Sequence, residues 1–293
     1  MFGFEDMLHS EFTELPFKIM FYVIIFLFGI CIGSFLNVVI LRLPAGESIL
    51  GIGGTKEDKE KASHCMTCGA KIRPIDLIPV FSWLMLRGKC HSCGQKISPR
   101  YPIVEALNGL LYVLTFFVLD INVKSIITCV LMSFLIVIGF IDWDTKDIYI
   151  GMLVVILVLA VPLHLFYSME YEDVTLKSRI IGAFVISVPF FLIGELSRPI
   201  IRKKFGEDFR AIELGDSMLM FAAGAFLGTQ AVIVSTFIGI IVAAIGGIIV
   251  KAVTKDSKFA FGPFLAIGIA IGSLWGPQIA QWYLSIPERL SGN

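Results

Sequence analysis

Charge is what this sequence has least of. Its 293 residues carry only 24 Lys and Arg against 24 Asp and Glu, 16% of the chain and zero in net, with four His. A balanced chain has no global basic field with which to displace counterions, so a nucleic-acid partner is not expected. So few charges, against 56% hydrophobic residues and a mean hydropathy of +0.84, also exclude an ordinary soluble enzyme. The bilayer must serve as solvent. A basic leader region is lacking too: Glu5, Asp6, Glu11 and Glu14 make the first 18 residues acidic. The apolar run Ile19 to Leu41 is therefore expected to be a retained anchor, not a cleaved signal. There is no internal repeat and no inverted symmetry between halves, which weighs against a transporter. Gly51-Ile52-Gly53-Gly54 looks like half of a phosphate-binding loop, but no strand-to-helix context surrounds it.

What is abundant is long apolar runs. Eight spans are expected, near 17–41, 102–119, 124–141, 148–167, 180–196, 211–228, 230–250 and 259–285. The fold class is thus an all-α polytopic membrane protein. Of the 24 basic residues, 19 fall in the alternate loops 42–101, 142–147, 197–210 and 251–258. That asymmetry makes those loops cytoplasmic and puts both termini outside. Three parts follow: residues 1–41 with the first span, a cytoplasmic loop domain at 42–101, and a seven-helix membrane domain at 102–293.

The loop contains Cys65-Met66-Thr67-Cys68 and Cys90-His91-Ser92-Cys93, each followed by a glycine. Two C-x2-C pairs at this separation suit a structural zinc held by Cys65, Cys68, Cys90 and Cys93. The glycine lets backbone amides turn toward the thiolates. Two disulfides or redox thiols are the alternative, disfavoured in a reducing compartment. His64 and His91 are read as solvated neighbours, because four thiolates already complete a tetrahedron. Cys31 and Cys129, inside spans, are read as packing residues.

Asp142 closes the third span and Asp216 opens the sixth. Carboxylates at membrane depth demand a reason. Two of them, from different segments and on one side of the bilayer, are what an aspartyl protease needs. Neighbouring like charges cannot both ionise, so the pair shares one proton. The charged member then takes a proton from water while the neutral one polarises the scissile carbonyl. Gly215 would give Asp216 room to face its partner. The plainer alternative makes Asp142, Asp144 and Asp147 a polar loop and Asp216 a charge favouring a helix N-terminus. Glu105 and Glu195 stay open between pairing and substrate contact, with a local ion pair to Arg100 favoured for Glu105.

Several stretches resemble the type IV prepilin peptidase family, the bacterial leader peptidases of pilus and type II secretion systems. They are Gly33-Ser34-Phe35-Leu36-Asn37 with Arg42-Leu43-Pro44, the two cysteine pairs, and Ile78-Pro79-Val80-Phe81-Ser82-Trp83-Leu84. Ile97-Ser98-Pro99-Arg100-Tyr101-Pro102-Ile103-Val104-Glu105, the Asp142 segment, Gly215-Asp216 and Phe261-Gly262-Pro263-Phe264 follow in the family's order. The resemblance implies Asp142 and Asp216 as catalytic residues and Cys65, Cys68, Cys90 and Cys93 as metal ligands. It implies prepilin or pseudopilin substrates cut on the cytoplasmic face, usually after a glycine, and in many members N-methylation from S-adenosylmethionine. Three positions depart from the family pattern. Tyr149 stands where proline is usual, Glu213 where glycine is usual, and Met218 where lysine is common. Two other classes compete: a non-enzymatic relative whose zinc loop is a docking platform, and a transporter relaying protons through Asp142 and Asp216.

Overall fold

The computed structural model describes residues 4–49, 64–65, 67–167, 175–205, 212–254 and 260–286. The Gly51–Gly54 stretch and Met66 lie outside the described residues. The chain is helical: α1 (Phe4–Arg42), a 3-10 turn (Pro74–Leu77), α2 (Phe81–Met85), α3 (Arg100–Leu119), α4 (Val123–Thr145), α5 (Ile150–Tyr167), α6 (Leu176–Phe205), α7 (Leu214–Leu227), α8 (Thr229–Thr254) and α9 (Gly262–Leu284). Among the described residues β structure is limited to two isolated bridges, His64 with Lys71 and Lys89 with Lys96.

Each of the eight expected spans is a helix. Six are long and apolar enough to cross a bilayer: Leu15–Arg42, Arg100–Leu119, Val123–Thr145, Leu176–Lys203, Thr229–Val250 and Gly262–Leu284. The apolar helices Ile150–Leu165 and Leu214–Leu227 are shorter. With 14 residues, α7 is only about 21 Å long against a hydrocarbon core of about 30 Å, since Gly228 at φ 83° ends it. Large side chains such as Phe117, Ile200 and Ile248 stand exposed on the helices, as lipid-facing residues do.

Two units can be distinguished, Met1–Phe117 and Val118–Asn293. The division falls near the end of α3. Within the first unit α1 lies against α3 through Gly29 and Gly33, where a Cβ would come within 2.7 Å of the Gly109 and Glu105 Cα atoms. Small residues four apart let two backbones approach, the usual route to helix association in lipid. Asn108 Nδ2 donates to Gly29 O at 2.7 Å, and Asn37 Nδ2 donates to Tyr101 O at 3.1 Å.

In the second unit α8 and α9 meet through Gly268, whose Cβ would fall 2.2 Å from Ser235 O. Helices α6 and α7 meet as closely, through Gly182 and Gly224. Arg179, expected in an external loop, instead lies buried on α6. Its Nη1 donates to Ala225 O at 3.1 Å and also to Phe226 O. A guanidinium on the last carbonyls of α7 satisfies orphan acceptors and complements the helix dipole. This fixes the far end of the helix that carries Asp216 in its first turn.

Candidate active site and metal centre

Hydropathy ends the third span at Asp142, but α4 runs on to Thr145 and stops at Lys146, whose φ of 63° is left-handed. The polar turn Trp143-Asp144-Thr145 extends the helix past its apolar part. Asp142 therefore sits inside the last turn, only 5% exposed, while Asp144 and Asp147 are exposed. Of the three carboxylates in this segment only Asp142 points into the protein.

Its Oδ2 accepts the Gly262 N–H at 3.0 Å. Gly262 is the first residue of α9, so a helix N-terminus with its unpaired amides meets this carboxylate. The glycine is required by space: a Cβ there would stand 2.7 Å from Asp142 Oδ2. Asp216 is 4% exposed in the first turn of α7, and its Oδ2 accepts the Glu213 N–H at 3.1 Å. Asp216 and Asp142 are close enough to interact electrostatically. Each carboxylate thus ties one oxygen to a backbone amide at a helix start.

Glu213 and Asp216 are brought together by a reciprocal capping box, in which the Glu213 side chain accepts the Asp216 N–H and the Asp216 side chain accepts the Glu213 N–H. Glu213 is the N-cap of α7, with extended φ −77° and ψ 160°, and exposed. Its charge acts on both Asp142 and Asp216. Gly215 makes room, but for Ile148: a Cβ there would come 3.0 Å from Ile148 Cβ. Met218 is partly exposed and Tyr149 immediately precedes α5.

Two features of the site escape a reading of the sequence. One is the Gly262 amide as a partner of Asp142, at which only the Phe261-Gly262-Pro263 stretch hints. The other is Ser217, buried beside Asp216, whose Oγ has no hydrogen-bond partner among the described residues. Gly262→Ala tests the first. The new methyl must push the Asp142 carboxylate aside, and a displacement near 1 Å is expected to lower kcat/KM on the order of a hundredfold. Membrane insertion and thermal stability should change little, so rates and a melting curve on one preparation check it.

Cys65, Cys68, Cys90 and Cys93 place their Sγ atoms within 4.8 Å of one another, and this cluster can hold a metal ion. All four are free thiols in this structure. Cys65 Sγ and Cys93 Sγ are 3.9 Å apart, against about 3.8 Å between sulfurs in a tetrahedron with 2.3 Å zinc–sulfur bonds. The halves repeat one geometry. Gly69 N donates to Cys65 O and Gly94 N to Cys90 O, both at 2.9 Å, and both glycines have φ near 70°. The Cys68 and Thr67 amides pull the Cys65 thiol down to about 6. Against the pull of the Gln95 amide, desolvation and the other cysteines crowding Cys93 push its thiol up to about 11, so the first proton of the cluster is held loosely and the last tightly. His64 and His91 are exposed and outside the cluster. Cys129 is buried as expected, whereas Cys31 lies exposed on α1.

Glu105 does not show the expected pairing with Arg100. It is buried in α3, and its Oε2 accepts the Val80 N–H at 2.6 Å.

Comparison with known proteins shows the family. Residues 27–119 match the bacterial peptidase A24 N-terminal domain, and residues 129–248 match the type IV leader peptidase family. The prepilin leader peptidase/N-methyltransferase of Neisseria gonorrhoeae is 31% identical over 281 residues, 89% of this chain and 94% of that protein. That of Aeromonas hydrophila is 31% identical over 91% of this chain and 94% of its own length. The type 4 prepilin-like proteins leader peptide-processing enzyme of Escherichia coli is 31% identical over 82% of this chain and 88% of its own. No solved structure matches. On these grounds this multi-pass membrane protein belongs to the type IV leader peptidase family.

Proposed function

We propose that the chain is a prepilin leader peptidase, a membrane aspartyl endopeptidase whose catalytic residues are Asp142 and Asp216. The observation that carries this reading is the burial of two carboxylates from separate helices in electrostatic contact, each held by a helix-start amide. Structural ion pairs place a cation beside a buried carboxylate; this pair has its own like charge as neighbour, the arrangement of an acid–base dyad.

The amide bonds to Gly262 and Glu213 fix both carboxylates and leave the second oxygen of each for chemistry. The pair holds one proton. Its ionised member takes a proton from water as the oxygen attacks the scissile carbonyl, and its protonated member stabilises the developing oxyanion. Collapse breaks the C–N bond and delivers a proton to the new amine of the mature pilin. The relatives' names add N-methyltransferase, and the same reading carries S-adenosylmethionine as methyl donor to that amine.

Cys65, Cys68, Cys90 and Cys93 are proposed to bind zinc. Four thiolates complete its coordination and leave no position for substrate, so it would act on folding and not on catalysis. Residues 42–101 would form this zinc-binding domain in the cytoplasm, with the seven remaining helices of 102–293 as the peptidase domain. A reporter fused at Lys203 should score cytoplasmic and one at Asp120 external; an external score at Lys203 would break the eight-span topology. For the activity, the purified chain in proteoliposomes is incubated with a prepilin and S-adenosylmethionine. Mass spectrometry should find the pilin shortened by its basic leader, with the added mass of a methyl group reporting the second activity. Prepilin left intact would overturn the peptidase reading.

A further inference from the structure

One part of the first unit is apolar without being a span. Between the two cysteine pairs, the 3-10 turn Pro74–Leu77 and α2 expose Ile75, Leu77, Ile78, Phe81, Leu84 and Met85 by 45–76%. Six large apolar side chains within 11 residues form a patch that water does not tolerate without a purpose. Residues in spans expose such side chains to lipid; this segment lies outside the spans, so what covers it needs an explanation.

Its position is fixed by hydrogen bonds to the helices that enter the bilayer. The Val80 N–H, midway along the segment, donates to Glu105 Oε2. Glu105 follows Arg100 by five residues on α3, about 7.5 Å along the axis from the helix start. Trp83 Nε1 donates to Ile97 O at 3.1 Å, just before α3 begins. The Asn37 bond to Tyr101 brings the end of α1 to the same level. The segment therefore cannot swing into the aqueous phase. It is held beside the first turns of α3, where head groups meet hydrocarbon.

The backbone at the anchor point is strained. Val80 has φ 63° and ψ −54°, and the Phe81 N–H donates to Pro79 O at 2.6 Å, a γ-turn of the rare hand at a β-branched residue. The buried Glu105 carboxylate on the same residue's amide holds this turn in place. Exposed Arg87 and Lys89 follow the apolar residues with positive charge suited to anionic head groups, whereas Arg73 before them is paired with Asp76 at 2.8 Å.

We propose that residues 74–86 are an interfacial anchor, laid in the head-group layer with lipid as the occupant of the Ile75–Met85 patch. This rests on the multi-pass membrane reading of α1 and α3, and not on the peptidase assignment. The choice of lipid over a protein partner follows from continuity: the patch is tethered to the start of α3, a helix long and apolar enough to span, whose own exposed apolar face calls for lipid.

The test is photocrosslinking of the full-length chain in vesicles of phosphatidylethanolamine and phosphatidylglycerol. A benzophenone amino acid replaces Phe81, Leu84 or Met85 one at a time, with Phe117 on a span as the lipid-exposed control. Exposed Gln95 in the zinc loop is the aqueous control. Metal content verifies the fold, and Phe81, whose own ring the probe extends, decides if the others lose metal. Phospholipid adducts should match those at Phe117 and exceed those at Gln95 by about tenfold or more. Lipid adducts no higher than at Gln95 would overturn the anchor. So would predominant adducts to a second copy, or to prepilin once it is added.

Discussion

Asp142→Asn and Asp216→Asn should each lower kcat/KM for prepilin cleavage by at least about a thousandfold, with normal insertion into the membrane. An amide has nearly the same shape as a carboxyl group, so Asn can still accept the Gly262 or Glu213 N–H. What it cannot do is hold the shared proton or take one from water. Asp144→Asn and Asp147→Asn are the internal controls. Both carboxylates are exposed, outside the buried pair, and cleavage should stay within about threefold of the native rate. An essential Asp144 beside a dispensable Asp142 would mean that the catalytic position is displaced by two residues. Rates on a single purified prepilin, with protein amounts matched by blot, decide it.

The second large effect is on the metal centre. Cys65→Ser or Cys93→Ser should reduce bound zinc from about one per chain to a small fraction of that. The two bridges, His64 with Lys71 and Lys89 with Lys96, are the only β pairing among the described residues there, too little to fold without the metal. Removing one thiolate should therefore turn residues 64–98 protease-sensitive, and cleavage should fall because the domain is lost. The helices of the second unit should keep their melting behaviour. Elemental analysis and limited proteolysis read both quantities. A metal-free chain with undiminished protease resistance and full cleavage would show the metal to be dispensable.

Much of this architecture is legible in the order of residues. Eight helices follow from hydropathy because every backbone amide in lipid must be paired within its own helix. The cysteine quartet follows from spacing because four thiolates and two glycine turns leave few other uses. The ends of the spans are harder to read. The polar turn Trp143-Asp144-Thr145 looks like a loop by hydropathy, yet it continues α4 and carries Asp142 inward. Gly262 cannot be assigned from sequence, since a backbone amide meeting Asp142 from 120 residues away leaves no local pattern. Glu105 misleads for a related reason. Arg100 is near in sequence, but the carboxylate is spent on the Val80 amide, 25 residues back. Glu213 reads in the sequence only as a departure from the family pattern, yet as the N-cap of α7 it forms a capping box with Asp216. Local periodicity fixes which segments are helices; long-range partners decide what their buried polar groups do.

The central claim is that Asp142 and Asp216 work as one unit, and a double-mutant cycle tests it most directly. Leader cleavage is measured for Asp142→Asn, Asp216→Asn and the chain carrying both, under single-turnover conditions in proteoliposomes. A dyad predicts that each single variant is already as slow as the double one, since half a pair shares no proton. Losses that multiply in the double variant, or substantial cleavage by either single variant, would contradict the account.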